Sequence, residues 1–379
     1  MSGGLEVLDG GILTTVQDSG RFGYQQFGMG TAGVMDPHAY KVGNLLVGNE
    51  ENAACLEATL LGPKLLFRQD LLVAVTGANM SPRLDGSPAP LWQSFPVKAG
   101  SVLEFGKLEN GCRSYICVAG GIQVPMVMGS RSTYLRGSVG GFEGRKIKKG
   151  DLLPLKPFST PAAGAAFKRL RKEAVPEYSK ETTIRLLPGP QDDYFLEDSL
   201  ETLFSSPYKV TRNADRMGYR LEGPVLKHKI SADIISDGIP PGAVQVPGHG
   251  NPIIMLADRQ TTGGYPKIAA VITADLHKVA QLKPGDEIYF QRATLEEGYK
   301  ALKDYEDSFA KNIEEFKPET GREESKLKIE EKREPLHRER VADTHQQASA
   351  KRALVSRSHK LVVTVQGKPY EVLVEELEP

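Results

Sequence analysis

The chain has 379 residues, of which 40% are hydrophobic and 25% charged, with Lys plus Arg and Asp plus Glu both at 48. That length supports two or three domains whose cores need no disulfides, and it excludes a peptide scaffold. A formal net charge of zero leaves no overall field to attract nucleic acid or an anionic membrane, so neither is expected as a partner.

The start, Met1-Ser2-Gly3-Gly4-Leu5-Glu6, has no basic stretch followed by an apolar one. No apolar run approaches the roughly 18 residues that a bilayer span requires, so the chain reads as cytoplasmic. With 39 Gly and 25 Pro, turns are frequent and the fold class is mainly β. Cys55, Cys112 and Cys117 lack CxxC spacing and read as reduced core residues.

Residues 1–155 carry short apolar runs such as Leu71–Val75 and Tyr115–Ala119 between Gly, Pro and Asp clusters, and are expected to form a first β domain. Residues 156–180 lose the strand pattern and read as a linker with a short basic helix around Phe167 to Glu173. Residues 181–292 form a second β domain, from Thr183-Ile184-Arg185-Leu186-Leu187 to Glu287-Ile288-Tyr289-Phe290. Related turn signals recur in Lys98-Ala99-Gly100-Ser101, Lys148-Lys149-Gly150-Asp151 and Lys283-Pro284-Gly285-Asp286. Gly at the third place supplies positive φ, and the polar fourth residue can bond back to the backbone.

Over residues 293–317, Leu295, Tyr299, Leu302, Tyr305, Phe309, Ile313 and Phe316 fall on one helical stripe, with Thr294 and Glu297 as a capping box. The stripe is expected to pack on the second β domain, with a partner-binding face as the other option. Residues 318–358 are dominated by alternating charge and read as a flexible tether, and residues 359–379 read as a hairpin, Leu361–Val365 against Tyr370–Val374.

Gly28-Met29-Gly30-Thr31-Ala32-Gly33 satisfies the dinucleotide fingerprint literally, but it follows polar Tyr24-Gln25-Gln26, and Pro37 interrupts the helix that should follow. There is no GxxxxGK[ST] loop, and the seven histidines show no HExxH spacing, so no metal site is expected.

Four loops mix Gly, hydroxyl, amide and charged residues: Thr14–Arg21, Gly129–Gly137, Asp215–Arg220 and Asp258–Lys267. Glycine lets backbone N–H groups approach a ligand, and Arg offers a planar fork for carboxylate or phosphate. Together they suit a small polar anion. For each loop the alternative is a turn whose Asp and Arg pair with each other.

These loops occur in a recognisable order. Thr14–Arg21 resembles a T-T-V-Q-D-x-G-R opening, Gly33-Val34-Met35-Asp36 an S-G-A-M-D step, and Asn44–Asn49 an A-N-x-L-V-G-N helix. With Leu56–Pro63, Ala119–Ile122, Gly129–Gly137, Leu187–Gln191, Asp215–Gly223 and Asp258–Lys267, the stretch from Leu5 to Phe290 resembles one carboxyltransferase family. That family contains the C-type subunit of 5-oxoprolinase, the KipI antagonist and the second half of the urea carboxylase carboxyltransferase domain. Departures are Gly43 for Ala, Ala32 for Ser, Asp237 for Glu and the run Gly248-His249-Gly250-Asn251.

The resemblance implies two cyclophilin-like β-barrel domains and a KipI-like partner, which is the B-type subunit of 5-oxoprolinase, together with the A-type one. It implies either ATP-dependent opening of 5-oxo-L-proline to L-glutamate, with ATP bound by this chain or by its partners, or carboxyl transfer from carboxybiotin to urea or a related amide. A regulatory role as a KipI antagonist is the third option. The terminal hairpin also resembles the first strands of a biotinyl carrier domain, without the A-M-K-M segment.

On the first option, Asp18 or Asp258 would orient water, and Arg131 and Arg216 would hold carboxylate or phosphate. Gln260 would bond the amide together with the backbone of Thr261, Thr262, Gly263 and Gly264. Gln17, Arg21, Ser132, Tyr134, Arg136, Arg220, Tyr265 and Lys267 complete the expected substrate-binding set. The expectation is that Arg131, Arg216 and Gln260 face one hollow.

Overall fold

The computed structural model describes residues 3–156, 167–316, 355–365 and 368–377. In the first half, Leu5, Val7, Leu65, Phe67 and Leu103 of one antiparallel sheet face Val16, Leu56, Val73, Val75, Ile116 and Val118 of another, all buried in one core. The first sheet runs Leu152–Leu153, Leu5–Asp9, Lys64–Phe67, Val102–Phe105, Pro82–Leu84, Ser87–Pro88, and the second Leu13–Gln17, Cys55–Thr59, Arg113–Val118, Leu71–Gly77, Ser94–Val97. The expected first barrel thus takes the form of two sheets closed over a single core.

The central strand Arg113–Val118 is buried on both faces. Its second face is covered by helix α1 (Pro37–Leu46), whose Ala39, Tyr40, Val42 and Leu46 pack with Ala74, Tyr115 and Cys117. This explains why the strands read as continuous apolar runs rather than alternating ones. Pro37, which reads as an interruption, stands at the first helical position, where its fixed φ and missing N–H cost nothing. Asp36 caps the helix, its Oδ1 accepting from the Ala39 N–H at 2.9 Å. All three cysteines are buried free thiols.

Burial pushes the Asp36 carboxyl up to about 6, although the Gln281 side chain and the Ala39 and His38 backbone N–H groups oppose the shift. Between about pH 4 and 6 the folded chain therefore holds this proton more firmly than the unfolded chain does. The group's contribution to stability falls as pH rises through that window and is flat above it. Asp36→Ser keeps a capping oxygen and removes the titration. Urea unfolding across the window should show the variant gaining on the wild type by on the order of 2 kcal/mol as pH rises.

The second half is a closed seven-stranded barrel in the order Glu181–Pro188, Lys267–Val271, Ala243–Gln245, Ile253–Met255, Gly218–Glu222, Pro207–Val210, Glu287–Arg292. The last strand closes on the first in parallel, from Glu181 opposite Glu287 to Leu186 opposite Arg292. Ile184, Leu186, Tyr208, Tyr219, Val244, Ile254, Ile288 and Phe290 fill the interior, with Leu203 of α2 (Glu197–Ser205) and Val279 and Ala280 of α3 (Leu276–Ala280) packed on it. The recurrent turns behave as read: Gly100, Gly150 and Gly285 have φ of 94°, 91° and 97°. Asp151 accepts from the Lys148 N–H at 2.8 Å, and Asp286 from the Lys283 N–H at 3.1 Å.

Helix α4 (Leu295–Asn312) carries both bonds of the Thr294/Glu297 capping box. Its stripe divides between the two halves. Ala301 and Tyr305 meet Ile272, Ala274 and Ala293, while Phe309 enters the cluster under α1 with Tyr40 and Trp92. Leu295 and Tyr299 stay exposed.

Two expectations are corrected here. Ile313 and Phe316 leave the helix as a strand, Ile313–Phe316, and Phe167–Leu170 is its antiparallel partner rather than a basic helix. Phe167 and Phe316 face each other at 6.2 Å, and Arg169 Nε donates to Glu314 at 2.6 Å. A partner some 145 residues away, supplying a cross-strand ring pair and an ion pair, overrides weak local preference.

Residues 317–354, most of the expected tether, and 157–166 of the expected linker lie outside the described residues. In the C-terminal unit, Val355–Val365 and Lys368–Leu377 pair antiparallel, with Val363 opposite Tyr370.

Candidate functional site

Most of the charged residues expected to meet substrate are consumed in holding the loops. Asp18 is fully buried at the end of Leu13–Gln17. Its Oδ1 accepts from the Gly20 N–H at 3.0 Å, the Ser130 hydroxyl at 2.7 Å and the Ser132 hydroxyl, and its Oδ2 from the Arg131 N–H at 2.5 Å. Fully buried and accepting four such bonds, the carboxylate ties the 129–137 loop to the sheet. Asp18→Ala should therefore lower stability by about 3 kcal/mol or more in chemical denaturation, because several buried donors lose a charged acceptor together.

Arg21 is equally enclosed, its Nε donating to Val127 O and its Nη2 to Ser132 O, both at 3.0 Å. Gln17 Nε2 donates to Thr15 Oγ1 at 2.9 Å and to Thr133 O at 3.1 Å.

Arg216 is the larger correction. Buried between the halves, it donates to Asp258 through Nε at 3.1 Å and Nη2 at 3.0 Å, to Glu57 through Nη1, and to the Gly33 carbonyl. Gly33 has φ of 88°, and a Cβ there would lie 2.9 Å from Gly20 Cα and Ser19 O, so only glycine permits this loop crossing. Arg216 and Asp258 thus pair across two loops, which is neither the expected substrate contact nor a turn whose own Asp and Arg pair. Lys267 is likewise committed, its Nζ donating to Asp237 at 2.9 Å.

The remaining expected residues are dispersed. Arg131 lines a surface cavity with Asn52, Gln123 and Lys156. Tyr134 packs its ring beside Gly30, Arg136 reaches Met217 Sδ, and Arg220 donates to Asn213 O at 3.1 Å on an exposed edge. Thr262 and Gly263 pair with Gly238 and Asp237 as a short ladder, Gly264 O accepts from the Ile234 N–H at 2.8 Å, and Tyr265 is exposed. Arg131, Arg216 and Gln260 therefore do not face one hollow.

What the junction of the halves does hold is Arg259. Its guanidinium donates to Ile239 O at 2.7 Å, Leu256 O at 3.1 Å and Thr31 Oγ1 at 3.3 Å. Among the described residues no carboxylate forms an ion pair with it. Burial pulls its pKa down to about 10, which leaves it charged at neutral pH. It borders two cavities that share Thr31, Pro241 and Arg259 as walls. One, of about 430 Å³, is mainly apolar, with Phe22, Val34, Met35, Tyr40 and Leu256. The other, of about 490 Å³, is lined by Gln25, Gln260 and Thr261, and the buried Gln260 Oε1 has no hydrogen-bond partner among the described residues.

A buried cation with no ion-pair partner among the described residues can take an anionic group at this junction. In the sequence Arg259 is one polar residue of the Asp258–Lys267 loop, with nothing to set it apart. The distinguishing signal, that Arg216 from another loop takes Asp258 away from it, is invisible in the chain order. Among the described residues no group of three or more His, Cys, Asp or Glu is placed to hold a metal, and no helix is long and apolar enough to cross a membrane.

Residues 27–292 match the family model described as carboxyltransferase domain, subdomain A and B. The chain is 41% identical to the C-type subunit of 5-oxoprolinase from Escherichia coli, over 80% of this chain and 96% of that protein. It is 36% identical to urea amidolyase of Lachancea kluyveri over 83% of this chain. The crystal structure of the K. lactis urea amidolyase superposes with a TM-score of 0.77 at 34% identity over 81% of this chain. The chain spans 18% and 20%, respectively, of those two longer proteins. Matched along both β halves and nearly end to end with a 5-oxoprolinase subunit of the C type, the chain belongs to the carboxyltransferase domain A and B family.

Proposed function

We propose that this chain is the C-type subunit of an ATP-dependent 5-oxoprolinase, which with its partners adds water across the lactam C–N bond of 5-oxo-L-proline to give L-glutamate. The observation that carries the reading is Arg259, charged, buried at the junction of the halves and without an acid partner among the described residues. 5-Oxoproline has one carboxylate and one lactam N–H. The guanidinium takes the carboxylate, Gln260 Oε1 accepts from the N–H, and the Thr261 side of the cavity receives the ring.

The cations bordering these cavities fit one carboxylate and not a triphosphate. Beside Arg259 there is Lys41, and its Nζ pairs with Glu51 at 3.3 Å. We therefore assign the nucleotide to the partners, the KipI-like B-type protein and the A-type protein of 5-oxoprolinase. Co-purification with both partners followed by assay of 5-oxoproline-dependent ATP hydrolysis and glutamate release tests the reading. An intact complex that does neither would sink it.

A second reading, biotin-dependent carboxyl transfer to urea or a related amide, is favoured by the apolar cavity on the other side of Arg259. That cavity suits a hydrophobic ring system bearing a carboxylate. Decarboxylation of free carboxybiotin stimulated by urea, without 5-oxoproline turnover, would select it. Binding of the KipI-like partner with neither activity would select the regulatory role.

A further inference from the structure

The cavities at Arg259 open between two apolar rims, one from each half. Phe22 lines the apolar cavity yet is 64% exposed, and Gln25 lines the polar one and is exposed, so their loop stands at the opening. The loop has its own internal bonds. The Arg21 N–H donates to Thr31 O at 2.7 Å and closes the neck. Within it the Gly28 N–H donates to Gln25 O at 2.9 Å and the Met29 N–H to Tyr24 O at 3.3 Å. A compact loop tied at its ends fixes where its side chains point, and this one holds Phe27 76% exposed.

The second rim belongs to the barrel half. The Ile234 N–H donates to Gly264 O at 2.8 Å and the Ile239 N–H to Thr261 O at 3.1 Å, which fixes both ends of residues 235–238. All four are exposed, Ile235 to 94%. Gly238, Pro240 and Pro241 then line the polar cavity together with Gln25.

Free charge is missing from both rims. Residues 22–30 carry none, and the one charged side chain of residues 235–241, Asp237, is paired with Lys267 at 2.9 Å. One exposed apolar side chain needs no explanation, but Phe22, Phe27 and Ile235 held out around one opening do. Aromatic and aliphatic side chains without charge are the composition of the centre of a protein–protein interface.

What covers the rims follows from the reaction proposed above, on which this inference rests. The cavities offer cation enough for one carboxylate, so the nucleotide is held by a partner. To act on a lactam beside Arg259 it must come to the opening, and the protein that holds it must cover the rims. We propose that the two rims, Phe22 and Phe27 on one and Ile235 and Pro240 on the other, are the docking surface of the nucleotide-carrying partner, which meets them with an uncharged apolar surface.

Phe27→Asp and Ile235→Asp test this, because both residues are exposed and neither lines a cavity at Arg259, so the fold and the substrate contacts stay. The full chain is titrated calorimetrically with each partner, and each partner separately with ATP. Each variant should bind the ATP-binding partner about tenfold or more weakly than the wild type does. Leu295→Asp, on an exposed apolar residue of α4, should bind as the wild type does. In the reconstituted complex kcat for 5-oxoproline should return to within a few-fold of wild type once that partner is saturating, because the substitutions act on assembly. Folded variants that bind as tightly as wild type, or equal weakening by Leu295→Asp, would overturn the surface. So would the absence of any partner that binds both ATP and the wild-type chain. A wild-type dimer that Phe27→Asp dissociates while partner binding stays intact would overturn it as well, and give the rims to a second copy of this chain. A complex that loses the partner on substitution but never turns over 5-oxoproline would support the surface and sink the reaction instead.

Discussion

Arg259→Ala is expected to lower kcat/KM for 5-oxoproline by about 100-fold or more in the reconstituted complex, while the complex itself still assembles. A ligand carboxylate left without its guanidinium loses a charge-assisted fork, and truncating one side of such a pair typically costs about 2–5 kcal/mol. Lysine should rescue only partly, since an ammonium cannot reproduce the planar fork that Ile239 O and Leu256 O hold in place. Folding stability should change far less than activity, because among the described residues no carboxylate pairs with Arg259 and none is stranded when it goes. Steady-state kinetics over a range of 5-oxoproline, with a melting curve on the same preparation, checks both halves. Activity within a few-fold of wild type would remove the anion site from this chain.

Arg216→Ala should do the reverse, costing about 3–5 kcal/mol of stability in urea unfolding. Burial alone works against its charge, but Asp258 and then Glu57 hold its pKa above the ordinary arginine range. Removing it takes the Arg216 ion pair from two nearly inaccessible carboxylates, leaving Glu57 with Arg113 Nε at 4.0 Å, and frees the Gly33 carbonyl. Glu57 also accepts from the Tyr115 hydroxyl at 2.8 Å, and that oxygen accepts from the Asp36 N–H at 2.8 Å. Asp36 in turn accepts from Gln281 at 2.6 Å. The loss therefore spreads along a chain of bonds joining the two halves. Lost activity in this variant should follow lost folding, and a folded, stable but inactive Arg216→Ala would return Arg216 to the substrate-binding set.

The two variants separate residues that looked alike in the sequence. Both are arginines in Gly-containing polar loops, and Arg259 even adjoins the aspartate that Arg216 uses. Their difference is a matter of which partner arrives from elsewhere. Glu57 comes from a strand of the first half and Gly33 from the loop before α1, and together with Asp258 they occupy Arg216. Among the described residues Arg259 meets two carbonyls and a hydroxyl. The same long-range effect turned the expected basic helix at Phe167 into a strand, because Ile313–Phe316 lies across from it.

By itself the sequence determined what depends on neighbours within a few residues. The glycine turns, the Thr294/Glu297 capping box, the β-rich texture, the free cysteines and the family carried by ordered motifs all rest on local geometry or residue identity. Tertiary structure alone decided which charges are spent and which remain available. An arginine's role is fixed by the acids and carbonyls brought within about 3 Å of it, and desolvation makes each such pairing all-or-nothing. That is why Asp18, Arg21, Arg216 and Asp258 hold the loops, while Arg259 is left facing the cavities.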